Sequence, residues 1–239
     1  MNLSRAFQYP FEDPQWGGKL AMVLVWGLIA FIPLLGLVGM AMLAGYALDL
    51  VRNQLAEKQR PLPEWRDFNS RLGDGFNVLV AIFVYNIPNA LPLCGLLLFV
   101  SSGGDSGILA LLSLCCLLLF LLLWNLFAGL MLATGATRYA RSRQLTAWFQ
   151  PGELWDTLRG NSDLFLQWLF YSVLANLALG LVAGLPLVGW LISLTLSVPV
   201  QGHLLGQLAL ALAAREDELA AGMTGQLSPG ACAARDILA

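Results

Sequence analysis

Few residues in this 239-residue chain have chemistry to offer, and most of them sit inside long apolar runs. Gly104-Asp105-Ser106-Gly107 has the look of the loop around a secreted protease's serine. The only histidine, His203, lies near the middle of the last apolar stretch, far along the chain from that serine. A short Gly-rich loop accounts for the tetrapeptide without catalysis. Cys94, Cys115 and Cys116 lie in apolar runs, where a thiol behaves as a small hydrophobe, and Cys232 stands alone near the end. No CxxC or Cys/His spacing, HExxH, P-loop or GxGxxG occurs. The expectation is therefore a protein with no catalytic residue, no metal site and no cofactor.

Polar side chains within the apolar runs are the better lead, because a polar group in a membrane is costly and often functional. Tyr46, Asp49 and Asn53 fall at i, i+3, i+7 and share one helical face, with Arg52 one turn from Asp49 as a local ion-pair partner. Gln201, His203 and Gln207 stand in the last run together with Pro199. Interhelical hydrogen bonding explains such a set, and a proton or solute path is the sharper alternative. Asn86 and Asn89 flank Pro88, with Pro92 one turn on. Two prolines in one span imply a kink or an unwound stretch whose freed carbonyls the asparagines could satisfy, or a binding site at a broken helix. Asn125 and Asn176 read as single polar anchors between helices.

The elements that carry these residues follow from charge. Between Lys19 and Asp49, Asp74 and Asp105, Asp105 and Arg138, and Asp163 and Arg215 there is no charged side chain. A helix needs about 20 apolar residues to cross a bilayer, and soluble helices rarely stay uncharged for so long. Hydrophobic residues make up 58% and charged residues 12%, against a soluble norm of about 45–50% and 25%. The run 164–214 would make a helix of roughly 76 Å, so it must cross twice, with the break at Gly184-Leu-Pro-Leu-Val-Gly189. Gly27-Leu-Ile-Ala-Phe-Ile-Pro-Leu-Leu-Gly36 aligns without gaps on Gly180–Gly189, which points to an internal repeat.

The expected fold is an all-α integral membrane protein with six transmembrane helices arranged as three hairpins, at about 18–56, 75–135 and 164–214. Each hairpin is preceded by a short interfacial segment, seated by Trp16, Trp65 and Trp155 at the headgroups. The stretches Trp65–Leu72 and Pro151–Arg159 are expected to lie flat on the cytoplasmic surface. Residues 1–215 form one domain, and 216–239 form a flexible cytoplasmic tail. With turns near Pro33, Ser101–Gly107 and Pro186 on the far side, all thirteen Lys and Arg fall on one side. The positive-inside rule then puts both termini in the cytoplasm. A five-span arrangement would strand Arg5 and Lys19 outside. The polar, acidic start is no cleavable signal peptide, so the first apolar segment is expected to act as an uncleaved anchor.

Tyr9-Pro10-Phe11-Glu12-Asp13-Pro14-Gln15-Trp16 is followed by Ile32-Pro33, Gly45-Tyr46, Leu62-Pro63-Glu64-Trp65, Asp67-Phe68 and Gly75. That order and spacing, over residues 5–80, resembles a multi-pass membrane family of bacteria and archaea, the domain of unknown function numbered 4013. The resemblance implies a prokaryotic membrane protein and carries no catalytic residue with it. The expected function is a non-enzymatic accessory, assembly or lipid-organising subunit of the bacterial inner membrane. The alternatives are a small-solute transporter or channel, and then a lipid-modifying enzyme seeded at Asp49 and Asp74. Membrane lipids and a membrane-protein partner or second copy are the expected partners. A net charge of −2 gives no reason to expect nucleic acid.

Overall fold

The structure, a computed structural model, describes residues 1–58, 62–101, 107–186 and 188–224. Among them there is no strand. Helix α1 (Leu3–Gln8) is capped by Asn2, whose side chain accepts the Arg5 N–H, and runs into a 3-10 turn at Tyr9–Glu12. Then come α2 (Trp16–Ile29), α3 (Leu35–Leu55), α4 (Phe68–Ser101) and α5 (Ile108–Ser142). A 3-10 turn at Leu145–Trp148 leads to α6 (Pro151–Gly160), α7 (Ser162–Ala183) and α8 (Val188–Thr224). Pro151 opens α6, where its missing N–H costs nothing, with Glu153 in the first turn and Arg159 in the last.

Consecutive helices pack together: α2 on α3, α4 on α5, α7 on α8, with α3 also against α4 and α8. Among the described residues, four stretches are long and apolar enough to cross a membrane, Leu35–Leu55, Leu111–Ser142, Ser162–Ala183 and Val188–Ala221. Helix α2 is apolar but has only 14 residues. At 35 and 37 residues, α5 and α8 measure about 52 and 55 Å, longer than a hydrocarbon core of about 30 Å.

The breaks at Pro33 and Pro186 are turns of the same local form. Leu35 N–H donates to the Pro33 carbonyl at 2.9 Å, and at the aligned positions Val188 N–H donates to the Pro186 carbonyl at 2.8 Å. Of the third expected turn, Ser101 ends α4 and Gly107 precedes α5, while 102–106 lie outside the described residues. The C-terminal reading shifts too: α8 continues beyond Arg215 to Thr224, and 225–239 lie outside the described residues.

Two expectations give way. No separate surface helix covers 65–72: Trp65 lies in a loop, and Phe68–Leu72 are the first turns of α4 itself. The physical reason is a face reversal. Arg71 and Asp74 are buried, whereas Phe68, Phe76 and Phe83 point outward at 41%, 59% and 70% exposure. A helix with its charges inside and its phenylalanines outside suits an apolar surrounding, the inverse of a soluble helix. Pro88 and Pro92 do not unwind their span either, because α4 runs through both. Helix α6 does form, but Leu154 and Leu158 turn onto Met131, Phe165 and Leu208 of the bundle, leaving Trp155 outward at 47% exposure.

Close backbone approach sets the central crossing. A Cβ on Gly75 would sit 2.5 Å from the Ala41 carbonyl carbon and 2.9 Å from Gly45 N. Only glycine lets α3 and α4 touch there. On α8, Gly202 and Gly206 instead leave room for side chains of α3, those of Leu50 and Gln54.

Candidate functional site

The polar groups gather where α3, α4 and α5 meet, around two aspartates and two arginines. Arg71 Nε donates to Asp49 Oδ2 at 2.8 Å, and Arg71 Nη2 to the Glu64 carbonyl at 2.7 Å. Arg52 Nη1 donates to Asp74 Oδ2 at 2.5 Å and to Asp49 Oδ1 at 3.3 Å, while its Nε reaches the Ala140 carbonyl. Tyr139 OH donates to Asp74 Oδ1 at 2.7 Å and accepts from Asn77 Nδ2 at 2.8 Å. All four carboxylate oxygens are thus engaged, and the formal charges cancel. The expected pair Asp49–Arg52 exists, but it is the longest ion pair in the network. Arg71, not Arg52, holds Asp49.

Aromatic rings cover this cluster on one side. Trp65 stacks on Tyr46 with ring centroids 4.9 Å apart, and the Arg71 guanidinium lies 4.6 Å from the Trp65 centroid. That geometry is a cation–π contact in a site shielded from water. Trp65 Nε1 also donates to the Lys19 carbonyl at 3.2 Å. Trp65 is therefore half-buried against the protein, whereas Trp16 is 44% exposed beside Phe11.

A second polar seam joins the N-terminal segment to α3 and α8. His203 is buried, its Nδ1 against the Gln54 side chain and its ring 4.1 Å from that of Tyr9. Gln207 accepts from Asn2 N at 2.8 Å and donates to the Asn2 carbonyl at 3.2 Å. Gln201 Nε2 donates to the Ser172 carbonyl of α7 at 3.3 Å. The set Gln201, His203, Gln207 thus ties α8 to three different neighbours. Asn53 is half-buried and makes no side-chain hydrogen bond among the described residues; it is its neighbour Gln54 that meets His203. Asn176 donates to Ser172 of its own helix, while Asn125 and Asn89 bond each other between α5 and α4.

Sequence reasoning missed Arg71 and Tyr139, and it missed Lys19. Lys19 Nζ donates to Asp13 Oδ2 at 2.6 Å and to the Leu62 carbonyl at 2.8 Å, and both side chains of that ion pair are buried. The signal was available: Lys19 is the single charge opening the first uncharged run, six residues after Asp13. Burial works to raise the Asp13 pKa, but hydrogen bonds from Lys19 and Gln15 N–H, with the Lys19 charge, hold it below the usual carboxylate range. A depressed folded pKa contributes stability above the unfolded value of about 3.9 and loses it as pH falls through the folded one. Asp13→Asn should therefore lower the melting temperature by a constant amount between pH 5 and 8, a cost of about 3 kcal/mol for a broken buried pair. Thermal scans in detergent should show the gap from wild type narrowing below about pH 4; a gap independent of pH down to the acid limit would contradict the assignment.

At the rim, a cleft of about 460 Å³ is lined by Arg138, Arg141, Gln150, Glu153, Asp156 and Glu216. Its arginines are already paired, Arg138 with Glu153 and Arg141 with Glu216. Among the described residues no three His, Cys, Asp or Glu side chains come together as a metal would require.

A family model described as protein of unknown function (DUF4013) matches residues 28–188, most of the chain. The chain belongs to that family. The DUF4013 match takes in Pro33, Gly45-Tyr46, the Leu62–Trp65 loop, Asp67-Phe68 and Gly75, and it runs well past residue 80 to the second Pro turn. It includes all four members of the charge network and the Gly45–Gly75 crossing, while the Tyr9–Trp16 segment precedes it. No curated protein and no solved structure matches. With its outward apolar helices, this DUF4013 member is a membrane protein.

Proposed function

We propose that the chain is a non-enzymatic accessory protein of the bacterial inner membrane that organises lipid or a partner subunit. The observation that carries this reading is the contrast between helices. Only 6% of the most apolar window of α5 is buried, against 50% for α3. Helix α5 is a long leucine-faced surface offered to its surroundings, held by a base whose charges neutralise one another. Surfaces of this kind suit contact with lipid or protein. A lipid-modifying site seeded at Asp49 and Asp74 would need those carboxylates free, and both oxygens of each are occupied.

In this proposal six helices span, as the pairs α2/α3, α4/α5 and α7/α8, with the matched turns at Pro33 and Pro186 marking an internal repeat. Helix α2, about 21 Å long, would cross only with local thinning of the bilayer. The contacts support one-sidedness: Lys19, Arg52, Arg71, Arg138, Arg141 and Arg215 all bond where α3, α5 and α8 end their apolar stretches and α4 and α7 begin theirs. By the positive-inside rule that end is cytoplasmic, with both termini. Trp16 and Trp155, outward at the same end, seat the base at the headgroups.

Purification in mild detergent, with identification of bound protein and lipid, tests the reading. A stoichiometric protein partner or one enriched lipid class is expected, with no ion or solute flux from the pure chain in liposomes. Flux without any retained partner or lipid would favour the transporter.

A further inference from the structure

We propose that Asn86, Asn89 and Asn125 form the contact through which the α4–α5 pair binds a second copy of this chain inside the membrane. The proposal rests on the membrane reading above, in taking α4 and α5 as spans. Along α4, Asn86 and Asn89 lie about 18 and 22 Å from Asp74, and along α5 Asn125 lies about 20 Å from Arg138. With those charges at one edge of a hydrocarbon core about 30 Å thick, the three amides sit within it, about two-thirds of the way across. They are not sheltered there. Asn86 and Asn125 are exposed and Asn89 is half-buried, on a face flanked by Ile82, Leu118 and Leu122.

The prolines do not explain these amides. Pro88 and Pro92 free the carbonyls four residues earlier, those of Val84 and Pro88. Asn86 Nδ2 instead donates to the Ile82 carbonyl at 2.8 Å, and Asn125 Nδ2 to that of Leu121 at 2.7 Å. Asn89 Nδ2 donates to Asn86 Oδ1 at 2.9 Å and to Asn125 Oδ1 at 3.3 Å, and Asn125 Nδ2 donates weakly to Asn89 Oδ1 at 3.4 Å. A carboxamide carries two N–H donors and two acceptor lone pairs. The inventory leaves an N–H on Asn86 and one lone pair on each of the three oxygens, facing a medium with nothing to bond them.

The occupant follows from that remainder. Lipid tails supply no hydrogen bond, and the nearer edge of the hydrocarbon core is still about 10 Å away. An amide is both donor and acceptor, so the patch is its own complement: across a two-fold axis the Asn86 N–H of each copy can meet a free amide oxygen of the other. Every copy inserted in the same orientation presents its amides at the same depth, which a two-fold along the membrane normal requires. The surrounding leucines supply the packing that such a contact needs.

The test is energy transfer between donor- and acceptor-labelled full chains in liposomes across a series of lipid dilutions. Wild type should form dimers. The triple variant Asn86→Leu/Asn89→Leu/Asn125→Leu should raise the dissociation constant at least tenfold, with the melting temperature of the diluted monomer retained. Asn125→Gln, which keeps an amide, should still dimerise. Should the triple variant fold poorly, disulfide crosslinking of Leu122→Cys in a chain cleared of its own cysteines serves instead and should give a homodimer. Wild type that stays monomeric, a folded triple variant that dimerises like wild type, absence of the Leu122→Cys crosslink, or a different protein captured at this face would each overturn the proposal. Solute flux by a dimer would sink the accessory reading alone.

Discussion

Arg71→Met should destabilise the protein by about 3–5 kcal/mol, the range for breaking a buried ion pair by removal of one member. The Arg71 side chain is 4% exposed and does three things at once. It neutralises Asp49, caps the Glu64 carbonyl and fills the face of Trp65. Without it Asp49 keeps only the 3.3 Å contact to Arg52, which is itself committed to Asp74. Removing both charges together should hurt less, because no carboxylate is then left uncompensated. Thermal unfolding in detergent should therefore rank Arg71→Met below the double variant Asp49→Leu/Arg71→Met. Equal losses would mean that the pair contributes nothing as a pair.

Gly75→Ala should also destabilise the protein, for a steric reason. The added methyl would meet the Ala41 carbonyl and the Gly45 backbone, neither of which can rotate away. The α3–α4 crossing must then open, and overpacking of this kind costs about 1–3 kcal/mol. Two residues earlier on the same helix, a Cβ on Gly73 would meet nothing within 4 Å. Gly73→Ala should thus raise stability by roughly 0.5–1 kcal/mol through helix propensity. Opposite signs at Gly73 and Gly75, read from melting temperatures, are the signature of the close crossing.

The helices and their breaks were legible because charge spacing and proline act locally. Uncharged runs mark the long helices, and the turns at Pro33 and Pro186 form where proline ends a helix. The family resemblance was legible too, through the Pro and Trp positions around 33–75. What failed was the side on which a residue's partner lies. Trp65, Phe68 and Leu72 with charges between them are the pattern of a surface helix, and spacing does not say that Arg71 and Asp74 turn inward to meet Asp49 and Arg52. Those partners are 22 residues away in each case. Asn53 and Gln54 show the same limit on a finer scale: one helical position, about 100° of rotation, separates the residue that faces His203 from the one that does not. The Asp13–Lys19 pair depends on the Leu62 carbonyl, 43 residues from Lys19, which closes the site.

In the arrangement we propose, a charged, self-neutralised base lies at the cytoplasmic face and the apolar helices cross from it to the other side. Labelling of single cysteines with a membrane-impermeant maleimide tests this most directly, in a chain whose own cysteines are replaced by serine. Leu34→Cys and Gly107→Cys should react in intact cells, and Glu57→Cys only after the membrane is opened. Reaction of Glu57→Cys and Gly107→Cys from the same side would contradict it.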